Sequence, residues 1–188
     1  MKKMKYLAIG GGMANTFLAA KGIDIGSSFY EKNMLKDALQ IINKSEEIGC
    51  ELILPKDVVV ADKIEQGVES NNINIDKISK SNMILDIGDE TIDQICNAIA
   101  LSKTLLWNGP LGVFEVPPFD QATSNCALTV AMLTRAGGLV SIAGGGDTVS
   151  ALNNAGASGG FSYVSVAGGA FLEWIEGKKL PGISVLNN

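Results

Sequence analysis

The sequence predicts an α/β, doubly wound fold: a mainly parallel sheet with helices on both faces. Three observations lead there. Short apolar runs alternate along the chain with segments of helical periodicity. The strand-like runs are apolar throughout rather than alternating, as strands buried on both faces are. Glycines gather where such runs end, at Gly10–Gly12, Gly144–Gly146, Gly159-Gly160 and Gly168-Gly169, and they number 22 of 188 residues, above the usual share of about 7%. Such clusters mark tight turns or places where backbone must come close to something.

In chain order, Tyr6–Ile9 is a strand ending in the first glycine cluster, and Met13–Ala20 is helical. Over residues 31–48, Met34, Leu35, Ala38, Ile41, Ile42, Ser45 and Ile48 form a near-regular helical stripe, with Gly49 as a C′ stop. Glu51–Leu54 and Val58–Ala61 read as strands separated by Pro55. Residues 63–82 are polar, with Asn71, Asn72 and Asn74, and are expected as a surface excursion. Met83–Ile87 is a strand, after which Ile92, Ile95, Cys96 and Ile99 have helical spacing. Thr104–Trp107 is a strand leading into a Pro/Gly/Phe loop at 109–119. Asp120 is placed to cap a helix that runs to Arg135 and is ended by Gly137-Gly138. Leu139–Ala143 is a strand opening into the second triple glycine, and a short helix starts near Asp147. Tyr163–Val166 is the last strand and Ala170–Glu176 the last helix. With no internal repeat or linker, residues 1–188 are expected to form one domain.

Composition excludes several function classes. Hydrophobic residues make up 46% and charged residues 19%, a balance that favours a buried core over disorder. No apolar run approaches the roughly 20 residues that span a bilayer. The basic start, Met1 to Lys5, precedes an apolar stretch that Gly10–Gly12 cuts too early for a signal-peptide core. The expectation is a soluble, cytoplasmic protein. There is no histidine, so Ser-His-Asp and Cys-His nucleophiles and imidazole zinc sites are excluded. Acid–base work would fall to carboxylates, lysines or a substrate. Cys50, Cys96 and Cys126 are far apart in the chain, form no C-x-x-C, and read as small buried apolar residues. A net charge of −5 with scattered lysines argues against a nucleic-acid partner.

Ligands of such sheets bind outside the carboxyl ends of the strands, and three of those ends have unusual sequence. At Ile9–Met13, glycine backbone entering a helix can present N–H groups to an anion or let a flat base lie close; a plain tight turn is the alternative. It is not G-x-G-x-x-G, because position 15 is Asn15, and no G-K-[ST] exists for a Walker loop. Trp107–Glu115 runs from a strand into a rigid loop with an amide, two glycines, a proline and a carboxylate. Glu115 could accept hydrogen bonds from ribose hydroxyls, or simply be an exposed loop acid. At Ile142–Thr148 three glycines precede Asp147 and Thr148 at a helix start. That arrangement favours phosphate, with Asp147 able to hold Mg²⁺, over an ordinary N-cap. Phosphate, magnesium and a nucleoside pocket together point to phosphoryl transfer, which needs positioning more than a covalent nucleophile.

Six segments occur in order: Gly10–Ala14, Leu54-Pro55 with Asp57, Leu85–Gly88, Trp107–Glu115, Gly144–Thr148, and Glu176–Lys178 with Leu180-Pro181-Gly182. Together they resemble the C-terminal, nucleotide-binding half of phosphoglycerate kinase, over essentially the whole chain. The resemblance implies a Rossmann-like domain that binds MgADP or MgATP. It implies phosphoryl exchange between 1,3-bisphosphoglycerate and MgADP, giving 3-phosphoglycerate and ATP. By the same motifs, Gly11 and Gly12 would line an adenine slot with Leu85 packed near it, and Pro110 and Glu115 would contact ribose. Asn108 would lie near the phosphates. Gly144, Gly145 and Gly146 would supply phosphate-facing N–H groups to the transfer itself, Asp147 the magnesium contact, and Thr148 a hydroxyl or amide to phosphate.

The sequence also departs from the family pattern. Ile84 stands where a glycine is usual, and Val166-Ala167 replace a threonine and a glycine before Gly168-Gly169. The N-terminal half, with its arginine cluster for the acid substrate, is not represented, nor is the strand with Gly-Gly-Ala/Ser-Lys. The resemblance therefore implies that the acid substrate is reached only through an N-terminal part. If the family's sheet order holds, the missing strand is an interior one, and its neighbours are left with unpaired edges for a partner to cover.

Overall fold

The structure, a computed structural model, describes residues 4–167, 169, 170, 173 and 177–179. Its elements follow the expected alternation. The first half runs β1 (Tyr6–Ala8), α1 (Gly11–Ala20), α2 (Leu35–Glu47), β2 (Glu51–Ile53), β3 (Asp57–Ala61) and β4 (Asn71–Asn74). The second runs β5 (Met83–Ile87), α3 (Asp89–Ala100), β6 (Thr104–Asn108), α4 (Gln121–Arg135), β7 (Val140–Gly144), α5 (Gly146–Asn154) and β8 (Tyr163–Ser165). The expected last helix, Ala170–Glu176, and the segment Leu180-Pro181-Gly182 lie outside the described residues except at Ala170 and Glu173.

Two groups of strands are parallel. β1 pairs with β2 in the register Leu7↔Leu52, and β6, β7 and β8 pair through Trp107↔Ala143↔Val164. Side-chain alternation sends Leu7 and Leu52 to one face of β1–β2, where they pack with Ile9 and with Ala14, Phe17 and Ala38 of α1 and α2. Tyr6 and Ile53 point to the other face and join a core built from Ile92, Ile95 and Ile99 of α3 and Cys126, Ala127 and Val130 of α4. That pair of strands is therefore wound on both sides. Trp107, Ala143 and Val164 continue the same core. On the opposite face of β6–β8, Leu106, Val140 and Tyr163 are 45, 52 and 60% exposed, so no described helix covers it there.

One part of the parallel expectation is corrected. β3 is antiparallel to both β4 and β5. A parallel return needs a crossover of about a dozen residues or more, usually a helix, and here only residues 54–56 separate β2 from β3. The apolar run Val58–Ala61 is covered on both faces without being parallel. Val58 and Val60 pack on Ile73, Ile75 and Ile78, while Val59 and Ala61 pack on Leu85, Val113 and Phe119. The polar stretch at 63–82 likewise contains an edge strand, β4, whose asparagines face solvent while Ile73 faces in.

A second correction concerns the start of α4. Asp120 adopts helical dihedrals (φ −97°, ψ −8°) and its side chain caps nothing, whereas an N-cap carboxylate typically accepts from the N2 or N3 N–H out of an extended backbone. The capping bond comes instead from Asp86 on β5, whose Oδ2 accepts from the Ala122 N–H at 3.0 Å. No described helix is long and apolar enough to cross a membrane.

Candidate functional site

The carboxyl ends of β1, β6 and β7 bring the three glycine-bearing turns into one row. Past β1, the Gly11 N–H donates to the Leu111 carbonyl at 2.9 Å, tying the first turn to the loop after β6. Past β6, the Asn108 side-chain amide donates to the Gly144 carbonyl at 2.6 Å, and the Gly109 N–H donates to the Thr148 hydroxyl at 2.7 Å. Those two bonds lock the loop after β6 to the turn after β7. The order along the rim is thus 10–12, 109–115, 144–148.

The third turn has the chemistry of an anion site. Gly145 has φ +110°, a left-handed conformation open to glycine, and a Cβ there would lie 3.0 Å from the Asn108 amide nitrogen. This turn starts α5 at Gly146, and a helix leaves its first N–H groups without partners inside the helix. The earliest bond of α5 is from the Val149 N–H to the Gly145 carbonyl, so Gly146, Asp147 and Thr148 keep free N–H groups at the positive helix end. Gly146 and Asp147 are exposed, and Asp147 is the carboxylate of that first turn. Among the described residues no group of three or more acidic, cysteine or histidine side chains could cage a metal. Asp147 is one hard oxygen donor, which suits Mg²⁺ held by one or two carboxylates with phosphate oxygens and water completing the shell.

The remaining site residues divide by exposure. Gly12 and Glu115 are exposed and Pro110 is half-buried. Leu85 is instead buried with Ala61 and Phe119, beneath the loop, where its carbonyl accepts from the Val113 N–H at 2.8 Å. Thr148 is also buried, and its hydroxyl is engaged with Gly109, leaving its backbone N–H for a ligand. Asn15 is buried within α1; its Nδ2 donates to the Phe29 carbonyl, and its Oδ1 has no partner. Two cavities of 360 and 420 Å³ lie away from the rim, on either side of Gln94 and the Glu51–Lys56 region.

Sequence reasoning missed the groups that hold the rim in place. Asp86 fixes both the loop and α4: Oδ1 accepts from the Ile87 N–H at 2.9 Å, and Gly112 lies directly against the carboxylate. Burial pushes this carboxyl up to about 7, against the lowering effect of its two N–H bonds, with the charge of Asp120 adding to the rise. The unfolded chain would titrate it near 3.9. Because the folded state holds the proton more tightly, its stabilising contribution is full below about pH 4 and lost as pH rises through about 7. Relative to Asp86→Asn, the native protein should lose about 2–3 kcal/mol between pH 5 and pH 8, read from urea midpoints at both pH values. A slope of opposite sign would mean that the two N–H bonds outweigh burial.

A family model described as phosphoglycerate kinase matches residues 1–178. The phosphoglycerate kinase of a Caulobacter species is 55% identical over 184 residues, which are 98% of this chain and 46% of that protein. That of Cereibacter sphaeroides is 53% identical over the same shares. Among solved structures, phosphoglycerate kinase from Coxiella burnetii aligns with a TM-score of 0.93 at 43% identity, covering 98% of this chain and 46% of that one. The enzyme from Pyrococcus horikoshii aligns at 0.79 and 25% identity, covering 97% and 45%. The chain spans about half the length of the relatives it matches. With the α/β topology and the glycine-turn rim already in place, these matches show that the chain belongs to the phosphoglycerate kinase family.

Proposed function

We propose that the rim binds MgADP or MgATP and that residues 1–188 form a nucleotide-binding domain of a phosphoglycerate kinase. Phosphoryl transfer between 1,3-bisphosphoglycerate and MgADP, giving 3-phosphoglycerate and ATP, then takes place when an N-terminal part holds the acid substrate. The observation that supports this best is the start of α5, where three free N–H groups and Asp147 converge beside the loop after β6. The phosphates lie against the Gly144–Gly146 turn and the Gly146–Thr148 N–H groups. Asn108 and Thr148 keep that turn at a fixed distance from the loop, Pro110 and Glu115 face the ribose, and Gly11 and Gly12 give the base an approach free of side chains. Magnesium, when bound, draws charge from the phosphate oxygens, with Asp147 as its protein contact. Positioning and charge stabilisation are what this reaction class asks of a protein.

Two features of the fold support an N-terminal partner. Among the described residues β1 and β6 each pair on one side only, and no described helix covers the apolar face of β6–β8. An N-terminal part that supplied a strand and a helix would cover both. Calorimetric titration of MgADP should show one site, weakened about tenfold or more in Asp147→Ala, a loss of about 1.4 kcal/mol. Absence of saturable binding would overturn the reading for the isolated chain.

One observation favours a second reading, a nucleotide-binding module without catalysis. No lysine or arginine occurs between Lys103 and Arg135, or between Arg135 and Lys178, so the two rim segments there contribute no cation toward a transferring phosphoryl group. Binding without turnover after an N-terminal part is added would select it.

A further inference from the structure

Cys96 and Cys126 are 30 residues apart in sequence, but the packing of α3 on α4 brings their sulfurs to 3.9 Å. The nucleotide reading uses neither. Cys126 is fully buried, while Cys96 is partly exposed at the edge of the helix contact. Thr129, nearly one turn further along α4, places its hydroxyl 3.6 Å from the Cys96 sulfur. A thiolate at Cys96 therefore has the Cys126 S–H as its near donor, because the Thr129 hydroxyl gives its proton to the Asn125 carbonyl at 2.9 Å. The Cys126 S–H holds the Cys96 thiol below its ordinary value, against burial and the charge of Asp93, while Cys126 is pushed up by its neighbour and by burial. An accessible low-pKa thiol beside a second cysteine that can resolve it is the arrangement oxidant-reactive sites use. Cys50 is buried at the start of β2 and makes no such pair.

We propose that Cys96 and Cys126 form an oxidation site at which a hydroperoxide converts two thiols into a disulfide joining α3 to α4. The Cys96 thiolate attacks one peroxide oxygen. The O–O bond breaks, Cys96 becomes a sulfenic acid, and the departing oxygen takes up a proton. The Cys126 sulfur then attacks the sulfenic sulfur; the S–S bond forms, the S–O bond breaks, and water leaves with the Cys126 proton. Two electrons pass from the sulfurs to the peroxide. The sulfurs must close by about 2 Å to reach bonding distance. The bond encloses residues 96–126, the stretch that contains the whole loop after β6, and so braces the middle of the rim.

The test treats the full chain with hydrogen peroxide and maps its cysteine peptides by mass, since exposed methionines also take up oxygen. The expected result is a Cys96–Cys126 linked peptide lighter by two hydrogens. The thermal midpoint should rise on the order of 5 °C or more and return on addition of a dithiol reductant. Both effects should vanish in Cys96→Ser, whose position tolerates a polar group, and persist in Cys50→Ser. Cys96 carried to sulfinic acid without a link, a link involving Cys50 or a second chain, or unreacted thiols would each overturn the proposal. None of these readouts involves nucleotide, so they stand or fall apart from the binding experiment.

Discussion

Asp57→Ala should lower the stability of the protein by about 3 kcal/mol, read as a shift in the urea midpoint with little change in slope. The reason lies at the start of α3. Its N-cap residue is Gly88, which has no side chain to offer the free N–H groups. Asp57, reaching across from β3, takes that role: its carboxylate accepts from the Glu90 N–H at 2.9 Å, the Thr91 N–H at 2.9 Å and the Thr91 hydroxyl at 2.6 Å. All of this is nearly closed to water, with Asp57 8% and Thr91 1% exposed. Losing a cap costs about 1–2 kcal/mol, and leaving buried donors unpaired costs about 1–3 kcal/mol more. The helix concerned supplies Ile92, Ile95 and Ile99 to the main core, so its loosening is felt globally. Asp57→Asn keeps one acceptor oxygen and should lose about half as much. Equal losses for the two variants would place the stabilisation in the charge rather than in the number of acceptors.

The capping of α3 and α4 also shows where sequence reading succeeds and where it stops. Whatever is decided within a few residues was legible: the apolar strands, the stripe over 31–48 with its Gly49 stop (φ +68°), and the glycine turns at strand ends. The glycine turns of the candidate rim were legible as clusters after β1, β6 and β7, but what brings the first beside the second is a contact between distant residues, the Gly11 N–H on the Leu111 carbonyl. Partnerships between distant residues were not. Asp120 has the right identity and place for a cap, but Asp86, 36 residues away from Ala122, takes the bond because β5 ends beneath α4. Thr148 reads as a ligand contact, yet its hydroxyl is drawn inward by Gly109, 39 residues earlier. Cys96 and Cys126 look unrelated until α3 and α4 pack. The direction of β3 was hidden for another reason: an apolar run signals burial on both faces, and burial does not reveal strand direction.

The same logic separates two glycines that look alike in the sequence. Gly112→Ala should cost about 3 kcal/mol or more, while Gly146→Ala should stay within about 0.5 kcal/mol of the native protein. A Cβ on Gly112 would overlap the Asp86 carboxylate and lie 2.6 Å from the Phe119 carbonyl oxygen. Neither can give way. The carboxylate is pinned by the Ile87 and Ala122 N–H groups, and Phe119 is wholly buried. The loop itself must move, and with it Pro110, Glu115 and the Leu111 carbonyl that holds Gly11. A Cβ on Gly146 meets nothing within 4 Å and leaves the backbone N–H in place. MgADP affinity, in the reading proposed for the rim, should therefore fall in Gly112→Ala at temperatures where the variant is still folded. Equal stability losses for the two alanines would show that Asp86 does not anchor the loop.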